Sequence, residues 1–435
     1  MNRQFGVLSG RVERTNTWAQ VLHPAHDQFV LVRPDNSWHL FDQAYVSVDH
    51  ELYEKHSRQL KSLSAPLKRT PQVSMIVFVS EACNLRCDYC KVSSMITAPN
   101  KIQTDAKAIA AAIQTTAEGT IGQVDVIFYG GEPLLEFEAI DEICREVAAS
   151  VVGNRVAFSM TTNGTLLTER MLEIMLNHRI CVGVSIDGNP LTHNAHRVNL
   201  AGRDTHARAV ANYRTMKKAG VECGPISVVT DPSKLEKVFD YFVTEFDETN
   251  IHLKPLEVRG SEDVSWLKDY FEEYVDCQLR LLSRCVSEFK MGQTRRCETR
   301  TAGAVRNVLL SGNLDVLSCH TSGMQGCSIG QEIFGIEANG VRIPCPNVKK
   351  YARKDPIFIK IIETRGGYCD ECSYKQICPS FCLAEMDEKF IEGFNDRGET
   401  GPVDVLCASN RRLVDGIFRL YREDAIAVTQ YAAIL

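Results

Sequence analysis

Between Val73 and Leu256 the chain alternates between two hydrophobic rhythms. Short runs rich in β-branched residues predict strands at Val73–Ser80, Val124–Tyr129, Val156–Thr161, Cys181–Ile186, Cys223–Thr230 and Ile251–Leu256. Between them, apolar residues recur at helical spacing over Asp105–Ala117, Glu136–Ala149, Glu169–Asn177, His206–Ala219 and Ser233–Glu245. Strand, helix, strand in strict succession implies right-handed parallel crossovers. The expected class is therefore α/β, with a parallel sheet curved into a partial or complete barrel of six β/α units.

Such a barrel keeps its chemistry at the C-terminal ends of its strands. That is where the polar and glycine-rich motifs fall. Cys83 to Cys90 follows the first strand, Gly130-Gly131-Glu132-Pro133 the second, Thr162-Asn163-Gly164 the third, and Ser185-Ile186-Asp187-Gly188 the fourth. All are expected to open onto one face.

The flanks follow another pattern. Gln28–Val32 and Ser37–Phe41 surround the turn Pro34-Asp35-Asn36 and predict a hairpin, followed by a helix from Val48 to about Leu63. Residues 1–70 are thus expected to form a small α+β module, either a cap on the barrel or a peptide-docking element, with the barrel at 71–300. From Gly312 the chain turns irregular and cysteine-rich, as expected of a fold organised by metal over 301–415. A helix at Asn410–Tyr421 is expected to close the chain, and 416–435 to form a helical tail.

Composition narrows the functions open to this architecture. The 435 residues are 44% hydrophobic and 24% charged, with a net charge of −6, so the chain has the balance of a folded globular protein without the basic excess that phosphate binding needs. Nucleic acid is not an expected partner. No apolar run reaches the roughly 18 residues that span a bilayer, and the N-terminus lacks the apolar core of a secretory signal. The expected compartment is the cytoplasm, and no membrane partner is expected. In that reducing setting 17 cysteines are too many to be explained by disulfides.

Cys144, Cys181, Cys223, Cys277, Cys285 and Cys297 are scattered and read as buried small hydrophobes. Cys319 stands apart further on. Ten others cluster, as Cys83-x3-Cys87-x2-Cys90 and as Cys327, Cys345, Cys369, Cys372, Cys378, Cys382 and Cys407. Tight spacing of this kind points to thiolates converging on metal. A [4Fe–4S] cluster normally takes four thiolates, so three leave one iron open to a ligand. A zinc site with a remote fourth ligand is the structural alternative.

Cys83-x3-Cys87-x2-Cys90 after a first strand, with Tyr129-Gly130-Gly131-Glu132-Pro133 after the second, resembles the radical S-adenosylmethionine (SAM) superfamily. The resemblance covers most of residues 73 to 415. It implies a partial (β/α)6 TIM-type barrel in which the open iron is chelated by the amino and carboxylate groups of SAM. One-electron cleavage then yields a 5′-deoxyadenosyl radical that abstracts a substrate hydrogen. By carry-over, Gly130 and Gly131 admit backbone close to the methionine and Glu132 accepts from its ammonium. Tyr89 neighbours the adenine, and Asn163 and Ser185 contact the ribose and methionine portions. Asp187-Gly188, His193 and Arg197 match the pattern after the fourth strand, where Arg197 is expected to pair with the SAM carboxylate. A flavodoxin or ferredoxin is the implied reductase.

The C-terminal spacing is similar to the SPASM extension of peptide- and protein-modifying members, which holds two auxiliary [4Fe–4S] clusters. The resemblance assigns Cys369, Cys372, Cys378 and Cys407 to one. The other takes Cys327, Cys345 and Cys382, with Cys319 as its fourth ligand, for three clusters in all. In the sulfatase-maturing branch, which oxidises Cys or Ser to formylglycine, an aspartate base follows the cysteine equivalent to Cys345. Here that residue is Pro346. Pro379-Ser380-Phe381 likewise stands where relatives often have glycines. The resemblance thus implies a maturase of a ribosomally synthesised peptide, with a sulfatase-maturating side-chain dehydrogenase as runner-up and a non-catalytic iron–sulfur carrier or scaffold as the alternative of another class. Beyond the SAM cluster, no catalytic residue is identified.

Overall fold

The computed structural model describes residues 20–22, 28–32, 38–42, 73–90, 103–256, 266–310, 333–343 and 402–433. Near the N-terminus, β1 (Gln20–Leu22), β2 (Gln28–Val32) and β3 (Trp38–Asp42) form an antiparallel sheet in that order. Gln28 lies opposite Asp42 and Val32 opposite Trp38, so the expected hairpin is present with its second strand shifted by one residue. The helix expected at Val48–Leu63 lies outside the described residues.

The main sheet contains β4 (Val73–Ser80), β5 (Val124–Gly130), β6 (Val156–Thr162), β7 (Cys181–Ser185), β8 (Cys223–Val229) and β9 (Asn250–Pro255), paired in parallel in chain order. The connecting helices are α1 (Ala106–Glu118), α2 (Phe137–Ala148), α3 (Glu169–Asn177), the short α4 (Pro190–Asn194) with α5 (His206–Ala219), and α6 (Leu235–Phe246). Because the strand order never reverses, right-handed crossovers put every connecting helix on the same face, and the other face becomes an inner wall. Side-chain burial bears this out. Met75, Val77 and Val79 of β4 share one fully buried core with Ile109 and Ile113 of α1, whereas Phe78 belongs to a separate small cluster with Ile76, Tyr129 and Cys90. Local chemistry sets the helix ends: the Asp105 carboxylate accepts the Ala108 N–H at 2.9 Å, and Thr168 caps α3 by accepting the Met171 N–H at 3.2 Å.

The sheet extends beyond the six expected strands. β10 (Cys297–Glu298) pairs parallel to β9 at one edge. At the other, β11 (Ile333–Ile336) pairs parallel to β4 and antiparallel to β12 (Arg342–Ile343). These strands are too short for a period-two pattern to mark them. Residues 333–343 therefore belong to the barrel sheet, although they fall within the stretch expected to be a separate cysteine-rich domain.

Further helices back this edge. α7 (Leu267–Lys290) and α8 (Thr299–Leu310) flank β10, and α8 crosses the boundary expected at residue 300. α9 (Pro402–Glu423) contains the expected Asn410–Tyr421 helix and runs on through residue 416, and α10 (Ala425–Ala433) follows. α9 lies tightly on α7. A Cβ at Gly416 would meet Leu279 at 2.3 Å, and Arg412 forms a bidentate pair with Asp276 at 2.7 and 2.6 Å. No helix among the described residues is long and apolar enough to cross a membrane.

Candidate iron–sulfur and SAM site

Cys83, Cys87 and Cys90 lie on the loop leaving β4, all half-buried. The loop is short of internal bonds. Cys90 donates its N–H to the Cys87 carbonyl at 3.1 Å, and the Leu85 N–H points to the Cys83 sulfur at 3.4 Å. Its shape comes instead from clamps on two sides.

The first clamp is backbone on backbone. The Gly131 N–H donates to the Ser80 carbonyl at 2.8 Å and the Glu132 N–H to the Ala82 carbonyl at 2.7 Å, which fixes the chain just before Cys83. Only glycine permits this approach. A Cβ on Gly130 would sit 2.1 Å from the Ser80 oxygen, and one on Gly131 2.1 Å from the Ala82 oxygen. Gly130 also has φ +135°. Glu132 is buried and uses its carboxylate as a hub. One oxygen accepts from the Leu134 N–H at 3.1 Å and the Thr162 hydroxyl at 2.5 Å; the other accepts from the Asn163 N–H at 2.7 Å. Burial raises its pKa, and these three donors oppose the rise. Asn163 continues the chain of contacts. Its amide donates to the Asn84 side chain at 2.8 Å, its oxygen accepts from the Thr165 N–H and hydroxyl, and Asn84 in turn donates to the Thr165 hydroxyl.

The second clamp is made of charge. Asp187, after β7, accepts from Arg197 Nε at 2.8 Å, from the Tyr89 hydroxyl, and through its other oxygen from the Val228 N–H at 2.9 Å. The Arg197 guanidinium lies over the Tyr89 ring, 5.3 Å from its centroid, and reaches the Cys87 sulfur at 3.9 Å. Burial works against the charge on Arg197, but Asp187 holds it protonated, well above its usual pKa. Burial first, then Asp187, raises the Tyr89 phenol and keeps it a neutral donor. His193 supports the turn from below. Its Nδ1 accepts the Asp187 N–H at 3.2 Å, its Nε2 faces the Thr205 hydroxyl at 3.1 Å, and that hydroxyl donates to the Arg197 carbonyl at 2.6 Å. Burial lowers the His193 pKa to about 3, so the ring is neutral. Outside this core the loop is strapped again, with Arg86 N–H to Val198 carbonyl at 2.9 Å and His196 on Asp88 at 2.9 Å.

Burial pushes the Cys83 thiol up to about 11 and the Cys87 thiol up to about 12, and the thiols raise one another further, with Arg197 alone opposing at Cys87. A loop that gathers three mutually repelling sulfurs in a half-buried position is stable as a thiolate set only around bound positive charge. The donor set fits an iron–sulfur cluster. Among the described residues no three His, Cys, Asp or Glu side chains are gathered around a single ion position.

The motif residues expected to meet SAM are thus brought together at one mouth, but most hold loops to one another. Gly130, Gly131, Glu132, Asn163, Asp187, Tyr89 and Arg197 all have protein partners here. The Ser185 hydroxyl makes no hydrogen bond among the described residues. Asn84, Thr165 and Thr205 were not singled out by the sequence, although Asn84 lies between two candidate ligands. Of the scattered thiols, Cys144, Cys277, Cys285 and Cys297 are buried as expected; Cys181 and Cys223 are half-buried. Cys407 sits half-buried on α9. Cys319, Cys327, Cys345, Cys369, Cys372, Cys378 and Cys382 lie outside the described residues, as do Pro346 and Pro379-Ser380-Phe381.

Residues 77–238 match the Radical SAM superfamily. A cysteine-type anaerobic sulfatase-maturating enzyme of Clostridium perfringens is 26% identical over 351 residues, 73% of this chain and 91% of that protein. The radical SAM cyclopropyl synthase TigE of Paramaledivibacter caminithermalis is 20% identical over 406 residues, 86% of this chain and 80% of that protein. The structure of native anSMEcpe with bound AdoMet and Cp18Cys peptide matches with a TM-score of 0.63 at 21% identity, covering 83% of this chain and 99% of that one, and so shares the partial-barrel fold.

Proposed function

We propose that this chain, a radical SAM enzyme by superfamily and fold, matures a ribosomally synthesised peptide, using SAM and a [4Fe–4S] cluster held by Cys83, Cys87 and Cys90. The observation that carries the reading is the double clamp on a three-thiol loop at the barrel mouth. When bound, the cluster and SAM supply a 5′-deoxyadenosyl radical that takes hydrogen from an unactivated carbon. The protein fixes where that happens. Gly130–Glu132 sets the entry of the cysteine loop, Arg197 brings positive charge to the Cys87 sulfur, and the neutral rings of Tyr89 and His193 keep Asp187 oriented towards Arg197.

Cys369, Cys372, Cys378 and Cys407, and Cys319, Cys327, Cys345 and Cys382, are proposed to hold two auxiliary clusters. Residues 1–70 are proposed to dock the peptide by strand addition. Anaerobic reconstitution tests the core of the reading: dithionite and SAM should release 5′-deoxyadenosine from protein carrying about twelve irons per chain. Intact clusters with no deoxyadenosine would end it. A side-chain dehydrogenase of the sulfatase-maturating type is the second reading, favoured by the Clostridium perfringens relative and disfavoured by Pro346. Incubation with a sulfatase-type peptide bearing Cys or Ser, read by mass spectrometry for an aldehyde, separates the two.

A further inference from the structure

The charged clamp hangs on the Asp187–Gly188 turn, which lies between β7 and α4 and has no regular structure of its own. His193 of α4 holds the N–H side of that turn at Asp187. The carbonyl side is held from another element. His206, the first residue of α5, is 5% exposed, and its Nε2 lies 3.1 Å from the Gly188 carbonyl and 3.0 Å from the Tyr241 hydroxyl of α6. A carbonyl can only accept, so Nε2 carries the hydrogen and the ring donates. The two imidazoles meet edge to face with centroids 5.3 Å apart. One accepts from the turn and the other donates to it.

The start of α5 has a second hold on the clamp. Thr205 stands at the N-cap position, yet its side chain caps nothing, because its hydroxyl is bound to the Arg197 carbonyl at 2.6 Å. Asn194, at the end of α4, takes over that task. Its side-chain oxygen accepts the Thr205 and His206 N–H groups at 3.1 and 3.0 Å, two of the donors that a helix start leaves open. The helix is thereby joined to both ends of the clamp, to the Asp187 turn through His206 and to the Arg197 backbone through Thr205. Between those ends lies the contact of Arg197 with the Cys87 sulfur at 3.9 Å.

We propose that His206, together with Thr205, is a positioning residue: by fixing the Gly188 and Arg197 carbonyls it sets the Arg197 guanidinium against the Cys87 sulfur, and so tunes the reduction potential of the cluster there. This rests on the assignment of that cluster to Cys83, Cys87 and Cys90, and on nothing about the peptide. The test uses the full-length protein, anaerobically reconstituted and poised at a series of potentials. Electron paramagnetic resonance follows the component whose signal changes when SAM is added. Positive charge beside a thiolate favours the reduced cluster. His206→Phe keeps the bulk of the ring and loses the donor, so its midpoint should move to more negative potential, in the direction of Arg197→Met and by less. His206→Gln, whose amide can donate to the same carbonyl, should restore most of the parent value. Thr205→Val, of nearly the same shape but without the hydroxyl, should also shift the midpoint negatively. An unmoved midpoint in His206→Phe overturns the proposal. An equal shift in His206→Gln also overturns it, since the ring would then act only by filling space. Should His206→Phe not fold, Thr205→Val decides, and a parent midpoint in that variant overturns the proposal. A parent protein in which no signal responds to SAM would refute the cluster assignment and the proposal with it, an outcome distinct from an unmoved midpoint in a variant.

Discussion

The two clamps on the cysteine loop do the same job with opposite materials. On the Gly130–Glu132 side the contact depends on missing atoms: two backbones approach so closely that a single methyl would collide with a carbonyl on either glycine. On the Asp187–Arg197 side it depends on atoms being present, in a buried ion pair whose acid is satisfied by three donors. The first fixes where the loop begins, and the second controls the electrostatics at Cys87 in its middle. Shape and charge at the site are therefore separable, and mutations can address them one at a time.

The largest effect is expected on the side set by shape. Gly130→Ala adds a Cβ 2.1 Å from the Ser80 oxygen at a backbone angle that L-residues rarely adopt. Strain and overpacking together should cost about 4 kcal/mol or more. Thermal unfolding of the unreconstituted protein should show the loss, and iron retained after anaerobic reconstitution should fall in step. Arg197→Met comes next. It leaves Asp187 buried with two donors but no counter-charge, a loss of about 3 kcal/mol. Because the backbone clamp is untouched, this variant should still take up iron, and its cluster should show a shifted reduction potential by electron paramagnetic resonance. If Arg197→Met lost iron as Gly130→Ala does, the separation of shape from charge would fail.

The same contrast explains what could be read from the sequence. The glycine clamp was visible because Gly130-Gly131-Glu132 sits at a strand end, where a barrel presents its chemistry, although the partners of those glycines, Ser80 and Ala82, carried no signal. Its six strands and five helices were legible because each buries one face at a regular period. The charged clamp was only half legible. Asp187, His193 and Arg197 stood out, yet their union with Tyr89, 98 positions before Asp187, exists only once β4 and β7 lie in one sheet. The edge strands β10 to β12 were missed because two to four residues cannot display a period, and their pairing is decided by the exposed edges of β9 and β4.

A pH titration sharpens the charged side. His193 has a folded pKa of about 3 against about 6.5 in an unfolded chain. On acidification the unfolded state therefore takes up the proton first. The contribution of His193 to stability is complete above about pH 6.5 and declines below it by about 1.4 kcal/mol per pH unit, until the folded ring itself protonates near 3. Chemical denaturation between pH 7 and 5 should contain this slope together with that of His252, whose pKa burial likewise lowers to about 3, and His193→Asn, which keeps an acceptor for the Asp187 N–H, should reduce the total by about one proton. An unchanged slope would mean that the ring is not held neutral beneath Asp187.

The smallest effect is expected at the rim of the same clamp. Asp88 and His196 pair at 2.9 Å, but Asp88 is 62% exposed, so water competes for its charge and salt screens it. Asp88→Asn should change stability by less than about 0.5 kcal/mol. It should leave both iron content and the reduction potential where they are, although it stands next to a candidate ligand. The comparison with Arg197→Met is then one of burial rather than of distance along the chain. Both residues are close to Cys87, and only the one removed from water is expected to affect the site. A potential that moved as far in Asp88→Asn as in Arg197→Met would show that any nearby charge tunes the loop, and the buried clamp would lose its special standing.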